Sequence, residues 1–372
     1  MFSLALDSIQ PLLILTKLFG FSFFTLDEDT FEVKFAKVDV LCVLFNLVIE
    51  GIIHINYWGA YFYLPNTSEI VNIVLPSVAY LNCCVLLFSK VWLFCNRHKI
   101  KVFLRLLCGI DSDFENLNFK FDYKKQRHFV IKLMVLVIFI WTVLSLSTLI
   151  FHSYYHYMEV KTYNCFILFM WAFFLNMVLI SQFLVFIFAI RDRFIAINHM
   201  IRSQGAKQKL IVQLAEIRIK LFKTCTLINE VFSPTMIYPL AMNVCLVCLF
   251  IFNTFVSFKD IWRNEILFIA SASCLKLHQT VSIVCLMWVC EATLKEDQKI
   301  LYNLFENLVK TQECEKSQKQ ILQFTHQISN MKIKFSCGLF EFNWRLCFQM
   351  ISAVAMYFFI LIQLENAIPK NV

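Results

Sequence analysis

The chain has 372 residues, of which 59% are hydrophobic, only 16% are charged and 41 are phenylalanine, and its formal net charge is +8. A composition this apolar departs from the soluble average and excludes a water-soluble globular core as the right description. The positive charge sits between apolar stretches, so it reads as membrane topology and attraction to anionic inner-leaflet lipid, not as a nucleic-acid surface.

The first apolar run, 9–24, is preceded by Asp7, interrupted by Lys17 and followed by no small-residue cleavage site, which argues against a signal peptide. It predicts a short amphipathic or re-entrant helix at the inner interface, ended by Gly20 and retained. Seven longer stretches follow, at 38–62, 70–95, 129–151, 166–190, 236–258, 266–290 and 344–364. Each is close to the ~20 residues that cross ~30 Å of hydrocarbon, allowing for tilt. Lys and Arg number 3 before the first stretch, then 0, 8, 1, 8, 2 and 7 in the six loops and 1 in the tail. Excess positive charge stays cytoplasmic. The expectation is an all-α integral membrane fold of seven transmembrane helices with its amino terminus inside and its carboxyl terminus outside.

Along the loops, Asn66-Thr67-Ser68 is a glycosylation sequon in the first outer loop, the loop without Lys or Arg, which makes Asn66 a candidate acceptor. Of the 15 cysteines almost all fall in spans or inner segments and only Cys165 lies near the outer surface, so no disulfide framework is available. Cys245 and Cys248 lack a second ligand pair and read as small packing residues, not a metal site. The second and third inner loops carry helical stripes: Phe194, Ile197 and Ile201; Leu210, Leu214, Ile217, Leu221 and Ile228; Leu301, Leu304 and Leu308; and Ile321, Phe324, Ile328 and Met331. Glu216 and Lys220 lie four apart on the wet side. These helices either pack on one another within a subunit or extend the fourth to seventh spans inward as an assembly domain; both readings stand.

Polar residues inside spans point in several directions. Glu50 and Lys276 fall near mid-membrane, with His278 and Gln279 beside the latter, and an unpaired charge there costs several kcal/mol. An interhelical ion pair or a water-filled pocket next to Lys276 relieves that cost. Lys90 and Lys132 lie near inner ends and are expected to snorkel. His152, Tyr154, Tyr155, His156 and Tyr157 read as an interfacial aromatic belt. Asp192-Arg193-Phe194 resembles the Asp-Arg-Tyr triplet of G-protein-coupled receptors, yet it follows the fourth span and no Asn-Pro-x-x-Tyr is present, so it reads as a chance triplet. Pro76, Pro234 and Pro239 offer helix breaks, but no internal repeat supports a transporter. No P-loop, catalytic triad or zinc motif occurs, so neither an enzyme nor a cofactor or metal is expected.

At the carboxyl end, Cys337-Gly338 precedes a final span closing on Met356-Tyr357 and, beyond five hydrophobic residues, Gln363-Leu364. This resembles the insect gustatory receptor signature of Thr-Tyr, five hydrophobic residues and Gln-Phe, with Met356 and Leu364 in place of the threonine and phenylalanine. The opening run Pro11-Leu12-Leu13, Lys17, Phe19-Gly20-Phe21 resembles the start of that family. The resemblance implies a ligand-gated, non-selective cation channel of four subunits, with the last helix of each lining the pore. Under it, Gln363 rings an outer constriction, where its amide faces water, and Leu364 or Phe359 closes the path by dewetting. The pore face runs Ser352, Met356, Phe359 or Ile360, then Gln363, with Tyr357 part of the signature. The alternative placement for Gln363 is at the membrane surface among headgroups.

The resemblance also places a recognition pocket in the outer halves of the second to sixth spans. There the sequence supplies Tyr80, Trp141, Ser145, Thr148, Trp171, Asn176, Asn253, Ser271 and Ser273, an aromatic set with a few hydroxyls and amides that suits an uncharged, partly apolar molecule. The organisation expected is a cytoplasmic amino terminus (1–37), a six-helix ligand-binding domain (38–290), a cytoplasmic assembly segment (291–343), a pore-lining helix (344–364) and a short extracellular tail (365–372). The expected function is a gustatory-type chemoreceptor channel in the plasma membrane of chemosensory neurons. It would be opened by a small tastant, surrounded by lipid and assembled as a homo- or heterotetramer with related receptors. A seven-helix receptor signalling through a cytoplasmic partner and an odorant-type channel subunit are the alternatives.

Overall fold

The computed structural model describes residues 2–22, 25–26, 33–34, 40–41, 43–48, 51–52, 69–155, 160–204, 208–257, 266–310 and 315–367. Helix α1 is Phe2–Leu18, followed by the two-residue strands β1 (Thr25–Leu26) and β2 (Val33–Lys34), which pair antiparallel. Then come α2 (Glu69–Cys95), α3 (Arg97–Asn116), α4 (Tyr123–Tyr155), α5 (Val160–Gln204), α6 (Gln208–Ser257), α7 (Ile266–Lys310), α8 (Glu315–Asn330) and α9 (Trp344–Ala367). Described helical turns at 43–48 fall inside the first expected span. The sequon at Asn66 and the charged Glu50 lie outside the described residues.

Helix α1 ends where the sequence places its stop. Gly20 has φ +75, and the amides of Gly20 and Phe21 donate to the carbonyls of Lys17 (3.1 Å) and Thr16 (2.7 Å). These two bonds with a left-handed residue between them satisfy the last carbonyls of the helix. Asn46 adds a donation from Nδ2 to the Leu18 carbonyl (3.1 Å). Ile9, Leu12, Leu13, Thr16 and Phe21 are all buried, and α1 packs mainly on α4. The amino-terminal helix is thus packed into the bundle through its apolar face. One consequence concerns Lys90: it is fully buried, with Nζ 5.3 Å from the centre of the Phe21 ring, so it does not snorkel. Chain folding back from α1 covers the path to water.

The fourth, fifth and sixth spans belong to helices of 45, 50 and 45 residues. At ~1.5 Å per residue a 45-residue helix is about 68 Å long, roughly twice a hydrocarbon core. The excess forms a second helical layer: the stripes at 194–201, 210–228 and 301–308 lie on helices continuous with the spans, whereas the stripe at 321–331 belongs to the separate helix α8. Phe194, Ile197, Ile201, Leu210, Leu214, Ile217, Leu221, Ile228, Leu304, Ile321, Phe324 and Ile328 are all buried, packing α5, α6, α7 and α8 on one another within the subunit. Pro234 and Pro239 do not break α6, which runs through both. The Trp92 indole donates to the Val231 carbonyl (2.9 Å) and the Thr235 hydroxyl to the Phe232 carbonyl (2.8 Å), so neighbouring groups supply bonds in the turn where proline removes a donor.

Charge ties this layer together. Arg193 is 1% exposed and grips Asp111 of α3 with Nε to Oδ1 at 2.9 Å and Nη2 to Oδ2 at 2.7 Å, while Nη1 donates to the Ala189 carbonyl. The guanidinium also lies over the Phe121 ring. The arginine of the Asp192-Arg193-Phe194 triplet is thus a buried fork that ties α5 to α3, a structural job unrelated to the receptor triplet it resembles by chance. Arg218 of α6 grips Asp297 of α7 in the same bidentate way, at 2.9 and 3.0 Å. Burial pushes the Asp297 carboxyl upward, and the hydrogen bond and charge of Arg218 pull it back. Lys220 pairs with Asp113 of α3 at 2.6 Å, across helices, where the sequence suggested a partner four residues away at Glu216. Asn303 Nδ2 donates to Asn198 Oδ1, and Arg202 Nε to Asn303 Oδ1, joining α5 to α7.

Candidate ligand pocket and pore helix

Trp141 on α4 and Trp171 on α5, far apart in sequence, come together with their ring centres 6.2 Å apart. Phe174, one helical turn beyond Trp171, stands 4.8 Å from Trp141. Phe19, just past α1, meets Trp171 at 5.5 Å and Phe174 at 5.0 Å, both edge to face. The result is a wall of four aromatic rings in geometries that aromatic pairs favour. Sequence reasoning named the two tryptophans and missed both phenylalanines. In a chain with 41 phenylalanines neither stands out, and Phe19 enters only because α1 is packed into the bundle.

Ser145 lies one turn after Trp141 on the same helical face, and its Oγ is buried with no partner among the described residues. A buried hydroxyl without a partner costs about 1–3 kcal/mol, so Ser145 is poised to bond a guest. Asn176 behaves differently. It is buried, and its Nδ2 donates to Asn82 Oδ1 of α2 at 2.7 Å, so its donor is spent on joining two helices. Gln182, also buried in α5, finds no partner for either amide atom among the described residues. Tyr80 is half-buried on α2. Thr148, Asn253, Ser271 and Ser273 lie on helices, but their side chains, like that of Lys276, are outside the described residues.

The other candidate site is α9. It packs on α6 and α7 through a stripe of half-buried residues, Met350, Ala353, Val354, Phe358, Leu361 and Ile362, at helical spacing. Phe358 meets Phe255 of α6 at 5.8 Å. Its opposite side is open: Met356 is 55% exposed, Tyr357 50%, Phe359 63% and Leu364 51%, and Ser352 and Gln363 are exposed beside them. Of the apolar stretch in Trp171–Ser203, 89% is buried; of that in Trp344–Leu364, 6%. Tyr123–Val143 of α4 is nearly as bare, at 11%. Both bare sides carry polar groups, Lys132 and Thr142 on α4 and Ser352, Tyr357 and Gln363 on α9. A crevice of about 270 Å³ also opens beside α9, lined by Asn243, Thr280, Met287, Cys347 and Met350 among others, with Thr280 Oγ1 donating to Asn243 Oδ1 at 3.1 Å.

With this geometry in hand, the chain can be set against known proteins. The model of the 7tm chemosensory receptor family matches residues 9–368, nearly the whole length. The chain belongs to that family of chemosensory receptors, which are not enzymes. Among solved structures, the insect olfactory receptor OR5 from Machilis hrabei is similar at a TM-score of 0.71 and 13% identity, covering 96% of this chain and 97% of that one. The same receptor in complex with eugenol is similar at a TM-score of 0.68 and 14% identity, with the same coverage. No curated protein matches by sequence. At such identities the likeness is one of fold, and it extends the seven-helix architecture over the whole receptor. The described residues alone include four helices long and apolar enough to cross a membrane, as expected of a multi-pass protein.

Proposed function

We propose that this receptor is a subunit of a ligand-gated, non-selective cation channel of gustatory type, opened by a small tastant in the plasma membrane of chemosensory neurons. Four subunits, identical or related, would surround an axis with the bare side of α9 turned toward it. The observation that carries this reading is the division of α9 into a packed stripe and a bare, partly polar face. An aqueous path or another subunit accommodates Ser352, Met356 and Gln363, which share one face of this spanning helix. The carboxyl-terminal signature supports gustatory type, whereas the likeness to OR5 supports an odorant-type subunit as the second reading. Expressing the chain alone in oocytes and recording current against panels of tastants and odorants tests both. A chain that reaches the surface and stays silent to every ligand, both alone and with related receptor subunits, would overturn them.

The aromatic wall of Phe19, Trp141, Trp171 and Phe174, with the unpartnered hydroxyl of Ser145, supports a pocket for an uncharged, partly apolar molecule. Eugenol in OR5 has that chemistry. Aromatic area supplies affinity and the hydroxyl orients the guest. Trp171→Ala should raise the half-maximal agonist concentration at least about tenfold through lost contact area, and Ser145→Ala about threefold, with ion selectivity unchanged. Dose–response curves check this, and unshifted midpoints for both would move the pocket elsewhere.

The alternating basic loops support an amino terminus inside and a carboxyl terminus outside. Epitope tags before Met1 and after Val372 should stain only permeabilised and also intact cells, respectively. An amino-terminal tag accessible on intact cells would reverse the topology and remove the channel reading with it.

A further inference from the structure

The segment between α8 and α9 folds into a tight hairpin that carries the first residue of the pore helix. Ser336 bridges Glu341, Phe342 N donates to the Phe335 carbonyl and Cys337 N to the Phe340 carbonyl, each at 2.9 Å for the two hydrogen bonds named with amide donors. Gly338 turns it with φ +88, and a Cβ there would stand 3.1 Å from Ser233 Oγ of α6, so the turn must be both left-handed and bare.

Side chains of α6 and α7 hold this hairpin by its backbone. Asn229 of α6 donates from Nδ2 to the Lys334 carbonyl and accepts from the Ser336 amide at Oδ1 (3.3 Å), imitating a neighbouring strand. Arg218, already locked to Asp297, donates from Nη2 to the Met331 carbonyl at 3.0 Å. At the start of α9, Asn343 Oδ1 caps the Leu346 amide (3.0 Å), and Glu291 of α7 accepts the Trp344 amide at Oε2 (3.2 Å). A carboxylate is the favoured partner for the positive end of a helix. Two helices that run through the ligand-binding bundle thus reach past the membrane and grip the root of the pore helix by polar bonds.

We infer that Asn229 and Glu291 are positioning residues for gating, forming a clasp that makes the base of α9 move with α6 and α7. The inference rests on the channel reading given above. It does not touch the ligand pocket or the bare face of α9, so its consequences separate from theirs. Loosening the clasp uncouples the pore from a pocket that still fills. Each lost hydrogen bond shifts the balance between coupled and uncoupled states by about 2- to 12-fold.

Cys337 provides a native reporter, since it is fully buried inside the hairpin with Sγ directed to the Phe340 carbonyl. The experiment compares Asn229→Ala, Glu291→Ala and Glu291→Gln with the unmodified receptor. It reads maximal agonist current, dose–response midpoint, surface level, and labelling of Cys337 by N-ethylmaleimide, mapped by mass spectrometry on purified protein. Cys108, buried and with its thiol pushed up to about 12 by burial and the nearby Asp111, serves as the unreactive reference. Expected for both alanine variants are a maximal current per surface receptor lower by about fivefold or more, a midpoint within about twofold of the original, and faster labelling of Cys337 but not Cys108. Glu291→Gln keeps an acceptor for the Trp344 amide and should lie between. Unchanged labelling of Cys337 in both alanine variants overturns the clasp. Faster labelling with the maximal current intact also overturns it as a gating element, because the hairpin would then be held without transmitting anything. An unmodified receptor with no agonist current, alone or with related subunits, removes the channel reading instead.

Discussion

Replacing Arg193 by methionine should all but remove this receptor from the cell surface. The guanidinium is 1% exposed and satisfies both oxygens of Asp111, so its loss leaves a carboxylate buried without a counter-charge. Breaking a buried pair in this way costs about 3–5 kcal/mol, a large share of the ~5–15 kcal/mol that holds a typical domain together. Removing both charges, as Arg193→Met with Asp111→Leu, should restore most of the surface level because no uncompensated charge remains. Lys99→Met provides the comparison. It breaks the pair with Glu230, whose side chains are 42% and 48% exposed, and such a pair is worth about 0–1 kcal/mol. Surface biotinylation and thermal unfolding in detergent measure all three variants. An Arg193→Met receptor as stable as the original would mean that Asp111 finds another partner.

The second large effect belongs to α9. Cysteines introduced at Met356 and Gln363, on the bare face, should react with a water-soluble thiol reagent at least about tenfold faster when agonist is present, while Leu361, on the stripe packed toward α6 and α7, is spared. Phe359→Ala should raise basal leak by removing an apolar closure, and Gln363→Glu should strengthen divalent block by adding up to four negative charges near the ion path. Patch recordings with reagent applied outside read these effects. Equal reactivity at all three positions and unchanged currents would make α9 an ordinary packing helix.

The two sites differ in how legible they are. The face of α9 is a local property: a helix repeats every 3.6 residues, so naming Met356, Phe359 and Gln363 as one side needs only their spacing. The pocket wall is a meeting of four chain segments. Trp141 and Trp171 stood out as bulky residues in spans, yet Phe19 and Phe174 could be placed only once α1 was seen to enter the bundle against α4. Asn176 carried the right chemistry and spends its donor on Asn82, a partnership that no spacing rule relates.

By itself the sequence determined that this is a membrane chain of seven apolar helices with helical stripes in its inner loops and a terminal signature of a chemosensory receptor. Those properties are written in runs, periods and charge counts, each read within a window of residues. The tertiary structure alone decided which polar groups pair. Arg193 finds Asp111, Arg218 finds Asp297, Lys220 turns to Asp113, and Lys90 is covered by Phe21. The physical reason is that burying a charge is tolerable only beside its partner, and that partner is chosen by how long helices pack, at separations in sequence that periodicity does not reach.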